Sequence, residues 1–181
     1  MARQAIVLGS SRSIWRDLDA LRPILREPSF FAVNYMVLFA PTVQYAVSHH
    51  QDELPHLLEL RARGMTAGAR AKVAAHSSAP GPGIDRVWPE FRRGRSGSSA
   101  LLATQIALAL GFQEVILAGV ELDAAGHIWD APVDPAGHVD YARYRLGWQD
   151  HRAALLGRVT AVSGYLAELL GRPARCASHA A

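Results

Sequence analysis

The chain opens on Gln4-Ala5-Ile6-Val7-Leu8, a short apolar run that breaks at once into Gly9-Ser10-Ser11-Arg12-Ser13. Apolar residues then recur at Ile14, Leu18, Leu21 and Leu25, at spacings of four, three and four, which trace one face of a helix ended by Pro28. The pattern predicts a strand, a turn of small polar residues and a helix. Two further runs, Phe30-Phe31-Ala32-Val33 ending at Asn34 and Val43-Gln44-Tyr45-Ala46-Val47 ending at Ser48-His49-His50, read as strands. Leu54, Leu57, Leu58 and Leu60 outline a second helix that stops near Gly64, and residues 71–75 form a weaker strand. A loop rich in Pro, Gly and Arg follows, up to residue 96.

The clearest stretch runs over residues 96–119. Ser96-Gly97-Ser98-Ser99 leads into an eleven-residue apolar segment, 100–110, relieved only by Thr104 and Gln105 and closed by Gly111. A helix apolar all round is buried on most sides. Val115-Ile116-Leu117-Ala118-Gly119-Val120 then reads as a central parallel strand. Residues 121–147 read as irregular, and Leu155, Leu156, Val159, Val162, Leu166, Leu169 and Leu170 as one last helix. Strands alternating with helices predict the α/β class: a three-layer α/β/α sandwich around a mostly parallel sheet.

Composition narrows this picture. At 181 residues, half of them hydrophobic, the chain corresponds to about one domain, 1–181, able to bury about 70% of its unfolded surface. Its one cysteine, Cys176, excludes an internal disulfide, a multi-cysteine zinc site and an iron–sulfur cluster. No apolar run reaches 18 residues, and the first residues have no signal-peptide core or cleavage site, so a cytoplasmic location with no membrane span is expected. Net charge is +3, and 18 of the 19 basic residues are Arg. They are scattered apart from Arg92-Arg93-Gly94-Arg95, a cluster too short and too poor in aromatics for nucleic acid. It reads as a solvated loop or a contact for a phosphate-bearing ligand.

In an open parallel sheet, ligands bind beyond the carboxyl ends of the strands, where strand order reverses. The residues just after each strand are therefore the ones to read: Gly9-Ser10-Ser11-Arg12-Ser13, Asn34, Ser48-His49-His50, Ser77-Ser78 and Glu121-Leu122-Asp123. Ser96-Gly97-Ser98-Ser99 joins them from the start of the apolar helix. A helix N-terminus presents unpaired N–H groups and a positive dipole end, which suit phosphate. Gly9 would let phosphate approach the backbone, with hydroxyls from Ser10, Ser11 and Ser13, so a Gly9→Val chain is expected to fold yet fail to bind. Each turn taken singly is better explained as a helix cap. Two of them in one sheet point to a nucleotide.

Ile6-Val7-Leu8-Gly9-Ser10-Ser11-Arg12-Ser13-Ile14, Ala32-Val33-Asn34, Ser96-Gly97-Ser98-Ser99 and the helix–strand block over residues 107–120 together resemble a superfamily. It contains the Rossmann-like bacterial sialyltransferases that use CMP-sialic acid and the DUF115 (MptE-like) proteins, among them 6-hydroxymethylpterin pyrophosphokinases. The resemblance spans residues 4–121, with a looser echo over 158–165. It implies a Rossmann-like nucleotide-binding domain in which residues 9–13 sit under the phosphates. Asn34 would fall at a substrate-contacting position and His50 near another, where the family has an asparagine, so that contact is changed; Ser98 and Ser99 would line the nucleotide pocket, and Glu121 would hold the ribose. The turn departs from the family's Gly-x-Gly-Pro-Ser, and Glu121 stands where the family has an aspartate.

Glycosyl transfer needs a base for the acceptor hydroxyl and a group to stabilise the leaving phosphate. The sialyltransferases use a histidine after the last central strand, where this chain offers His127 and His138, with His151 further on. His138 is the chosen base, with Tyr141 assisting; His127 is the alternative. Tyr141, Arg143, Tyr144 and Arg145 supply groups for a leaving phosphate. No protein-held metal is expected at His49-His50. Glu121 and Asp123 would hold Mg²⁺ only if the chain is a pterin pyrophosphokinase.

Three functional readings follow: a nucleotide-sugar-dependent glycosyltransferase, an MptE-like pyrophosphokinase, or a non-catalytic nucleotide-binding module. The expected partners are a nucleotide or nucleotide-sugar donor and a small-molecule or glycan acceptor. Residues 122–147 form a short lid-like loop. The last helix carries more apolar surface than one small domain buries, so a homo-oligomer is expected, with His138 near the contact.

Overall fold

In the computed structural model, which describes residues 3–64, 73–91, 98–123, 126–129 and 141–174, the alternation resolves into seven strands and six α-helices. The strands are β1 (Gln4–Leu8), β2 (Ser29–Val33), β3 (Tyr45–Ser48), β4 (Ala74–Ser77), β5 (Arg86–Val87), β6 (Glu114–Ala118) and β7 (Val159–Ala161). The helices are α1 (Ile14–Leu21), α2 (Met36–Phe39), α3 (Leu54–Arg63), α4 (Ser99–Ala109), α5 (Tyr141–Leu155) and α6 (Gly164–Leu170). All pairings are parallel, in the order β5-β4-β3-β2-β1-β6-β7. This is the expected Rossmann-like α/β sandwich. Among the described residues, no helix is long and apolar enough to cross a membrane.

The period-two alternation of the strands divides the core in two. Ala5, Val7, Phe31, Val47 and Leu117 face the layer of α4, α5 and α6. Ile6, Leu8, Ala32, Ala46 and Ile116 face the layer of α1, α2 and α3. The apolar helix is buried as its composition demands: Leu101, Leu102 and Ile106 are at most 3% exposed, each contributing about 1.5–3 kcal/mol. Arg61 at the end of α3 is also buried, because its guanidinium donates to the carbonyls of Val37 and Ala40 that close α2.

The C-terminal part corrects the expectation. What reads as one last helix is the end of α5, then β7, then α6. Val159 lies on the strand, Val162 just after it, and Leu166 and Leu170 on α6; all are buried within the chain. Leu169 is partly buried, and only Leu156 stands exposed. Among the described residues, the apolar side chains read as one helix face are thus buried or partly buried within the chain, with Leu156 the exception. The irregular segment also ends earlier, since α5 begins at Tyr141 and carries Trp148 fully into the core.

Strand order reverses between β1 and β6, and there the chain is tightest. Gly9 N–H donates to Ala118 O at 2.8 Å, and Ser11 N–H to Gly119 O at 2.9 Å. A Cβ on Gly9 would run into the Gly119 carbonyl and come within 2.6 Å of Val120 Cγ2. A Cβ on Gly119, whose φ is +65°, would meet Gly9 O and Ile14 Cβ, both at 2.7 Å. Gly9 is thus required by β6 as well as by whatever occupies the turn, and a Gly9→Val chain will not keep its fold as expected above.

Gly9→Ala should therefore destabilise the chain by about 3 kcal/mol or more, roughly 6–12 °C in melting temperature. Gly157→Ala is the comparison: Gly157 has φ +77° with nothing within 4 Å of an added Cβ, so only about 1–2 kcal/mol of backbone strain applies. Thermal unfolding followed by circular dichroism separates the two, and equal losses would contradict the packing argument.

Candidate functional site

A cleft of about 240 Å³ opens beyond the β1/β6 switch point. Gly9, Ser10, Ser11, Asn34, His50, Ser98, Ser99, Glu121 and Tyr141 all line it, so the fold brings these sequence-selected residues into one place. Val33, Gly119, Val120, Leu122, His127 and Tyr144 complete the lining. The volume is below the roughly 300–1,000 Å³ of common ligand sites, so the cleft has room for only part of a ligand of ordinary size. A larger space of about 500 Å³, bordered by Arg3, Gln4, Arg26 and Glu27, lies at the opposite edge of the sheet, where the strands begin. Position decides against it: in parallel sheets ligands sit beyond the carboxyl ends.

One wall is built from the ends of β2 and β3. Asn34 adopts φ +50°, a left-handed conformation that asparagine tolerates better than most residues. Its Oδ1 accepts from Ser48 Oγ at 2.8 Å, and Ser48 Oγ accepts in turn from the His50 N–H at 2.8 Å. His49 points elsewhere: it is buried, with Nδ1 2.7 Å from Ser78 Oγ. The adjacent histidines therefore do not share a site, and among the described residues no group of three or more His, Cys, Asp or Glu is placed to hold a metal ion.

The second wall is the start of α4. Ser98 is the N-cap, its Oγ accepting from the Leu101 N–H at 3.4 Å, and Ser99 Oγ accepts from the His49 N–H at 3.1 Å. Both serines line the cleft while holding structure, so the capping role is real and leaves each hydroxyl proton to donate. Arg92, Arg93, Gly94 and Arg95 lie outside the described residues.

The short segment 126–129 pairs with the first turn and brings His127 to the cleft. Ile128 N–H donates to Ser10 O at 2.9 Å, and Ser10 Oγ stands 2.7 Å from His127 Nδ1. The His127 ring stacks on Trp129, centroids 4.9 Å apart, and Trp129 packs against Tyr35 and Phe39. His127, the alternative base, is thus the histidine brought to Ser10. His151 sits on an exposed part of α5, and His138 lies outside the described residues. Tyr141 and Tyr144 reach the cleft from α5, whereas Arg145 is occupied elsewhere, donating to Leu122 O and lying 4.8 Å over the Tyr165 ring.

The floor holds what the pattern did not show. Ser13 does not line the cleft. It is buried and donates to Asp17 Oδ2 at 3.2 Å. Asp17 is only 1% exposed and also accepts from Gly119 N–H at 3.0 Å and Ser163 Oγ at 2.6 Å. The signal was present: a carboxylate stands between Ile14 and Leu21 on the buried stripe of α1. Glu121 lies nearby, with Arg16 Nη2 3.5 Å from both Glu121 Oε1 and Asp17 Oδ1. Burial raises the Glu121 pKa above the usual 4.5, with Asp123 and Asp17 adding to the rise and Ser13 and Arg16 opposing it. Glu121 therefore binds its proton more tightly than a free glutamate while its carboxylate faces Arg16.

The sign of the Glu121 shift gives a prediction. Its folded pKa is above the unfolded one, so ionised Glu121 costs stability at neutral pH, a cost relieved as pH falls through the folded value towards 4.5. Glu121→Gln should raise the melting temperature at pH 7 and lose that advantage by about pH 4. A melting-temperature difference independent of pH would contradict this. The chain matches no family model, no curated protein and no solved structure.

Proposed function

We propose that the chain binds a nucleotide-activated sugar in the switch-point cleft and transfers the sugar to an acceptor hydroxyl, as the CMP-sialic acid sialyltransferases that it resembles do. The observation that carries the reading is the Ser10–His127 pair in a cleft lined by two serine-rich turns. The turns offer hydroxyl and backbone donors suited to phosphate, and Asn34 and Glu121 offer groups suited to sugar and ribose hydroxyls.

In this reading His127 is the base. When Nδ1–H is donated to Ser10 Oγ, Nε2 presents the lone pair that takes the acceptor's proton. The acceptor oxygen then bonds to the anomeric carbon as that carbon's bond to the phosphate oxygen breaks, and the nucleotide leaves with the electron pair. Tyr141 and Tyr144, which also line the cleft, supply hydroxyls for the leaving phosphate.

A thermal-shift screen over CMP, UDP, GDP, ADP and ATP, with and without Mg²⁺, tests the reading. CMP at 100 times its dissociation constant should stabilise the chain by about 2.7 kcal/mol, roughly 5–10 °C. His127→Ala should keep that shift and lower transfer by about 10²–10⁴-fold. Stabilisation by ATP only in the presence of Mg²⁺ would favour the pyrophosphokinase instead. A response to no nucleotide would overturn nucleotide binding altogether.

A further inference from the structure

The group that ties the cleft together is not in it. Asp17 sits beneath the floor, and its Oδ2 gathers donors from three separate segments: Ser13 before α1, Gly119 after β6 and Ser163 before α6. A carboxylate this buried persists only where donors compensate its lost hydration. Oδ1 has no hydrogen-bond partner and is faced by the Arg16 guanidinium at 3.5 Å.

Each segment that Asp17 holds leads to Glu121. Gly119 is two residues before it in the chain. Ser163 precedes Gly164, where a Cβ would come within 2.6 Å of Glu121 Cα, and the Tyr165 N–H donates to Glu121 O at 3.2 Å. Ser11 Oγ accepts from the Glu121 N–H at 3.3 Å, so the first turn is joined to the same residue. Arg16, next to Asp17 on α1, reaches the Glu121 carboxylate itself. The geometry points to Asp17 as a positioning residue. Through Ser163 and Gly119 it fixes where the Glu121 carboxylate stands in the cleft, and so the affinity for a ligand hydroxyl there. The second part rests on the nucleotide-sugar reading; the first does not.

Ser163→Ala removes the shortest of the three bonds without burying a new polar group, and Asp17→Asn puts an amide where three donors converge. In both full-length variants the Gly119 amide should exchange with solvent about ten-fold faster. CMP affinity, measured by calorimetry well below each variant's melting temperature, should fall about ten-fold. Ser163→Thr, which keeps the hydroxyl, should bind like the parent chain. Unchanged affinity in a folded Ser163→Ala chain would overturn the proposal, because a residue serving stability alone would lower the melting point and leave affinity intact. If the parent chain binds no nucleotide, the functional reading fails by itself. The positioning claim is then decided by Gly119 exchange and the carboxyl NMR signal of Glu121, and unaltered values in Ser163→Ala would overturn it.

Discussion

Everything at the carboxyl edge of this sheet depends on how closely the ends of β1 and β6 approach. Two glycines face each other there, and a methyl group on either would overlap the other's backbone. Side-chain-free backbone lets Gly9 and Ser11 bond to the carbonyls of Ala118 and Gly119, and it lets Ile14 fill the space beside Gly119. The turn after β1 is therefore pinned to the turn after β6, and both end at the rim of the same cleft. A glycine that looks like a phosphate contact in the sequence is first a packing constraint.

Beneath that contact lies a second constraint of the opposite chemical kind. A buried carboxylate is costly without partners, and Asp17 meets the cost with a backbone N–H and two serine hydroxyls. The donors come from places far apart in the chain, so the bonds form only when β1, β6 and β7 are in register. Glu121 inherits the electrostatics of this arrangement: burial and two neighbouring acids favour its proton, while Arg16 and Ser13 favour its charge. The cleft thus holds a carboxyl whose hold on its proton is strengthened, beside a histidine paired with a serine.

How much of this was legible follows from where polar and apolar periods agree. β1, β2, β3, β6 and α4 stand out because apolar runs or an all-apolar helix admit few other readings, and α3 because Leu54, Leu57 and Leu58 recur on one face. The end of the chain misleads because Leu155, Val159, Val162 and Leu166 fall at spacings of four, three and four, although a strand lies between two helices. The breaks were marked by Gly157 and Gly164, both at positive φ, and by the β-branched pair Val159-Thr160. The two-residue β5 and four-residue α2 were too short to carry a period. For the cleft, the rule of reading residues after strands finds the lining. It misses Asp17 and the buried setting of Ser13, because a bond formed across the sheet leaves no spacing in the sequence.

The account's central claim is that the β1/β6 switch point is where a nucleotide binds. A titration of isotope-labelled protein with CMP, followed through backbone amide NMR shifts, tests it most directly. The account predicts shifts that saturate together at Ser10, Ser11, Asn34, His50 and Ser99, with the amides near Arg3, Gln4 and Arg26 at the opposite edge unmoved. Shifts confined to that opposite edge, or none at the cleft with saturating nucleotide, would contradict it.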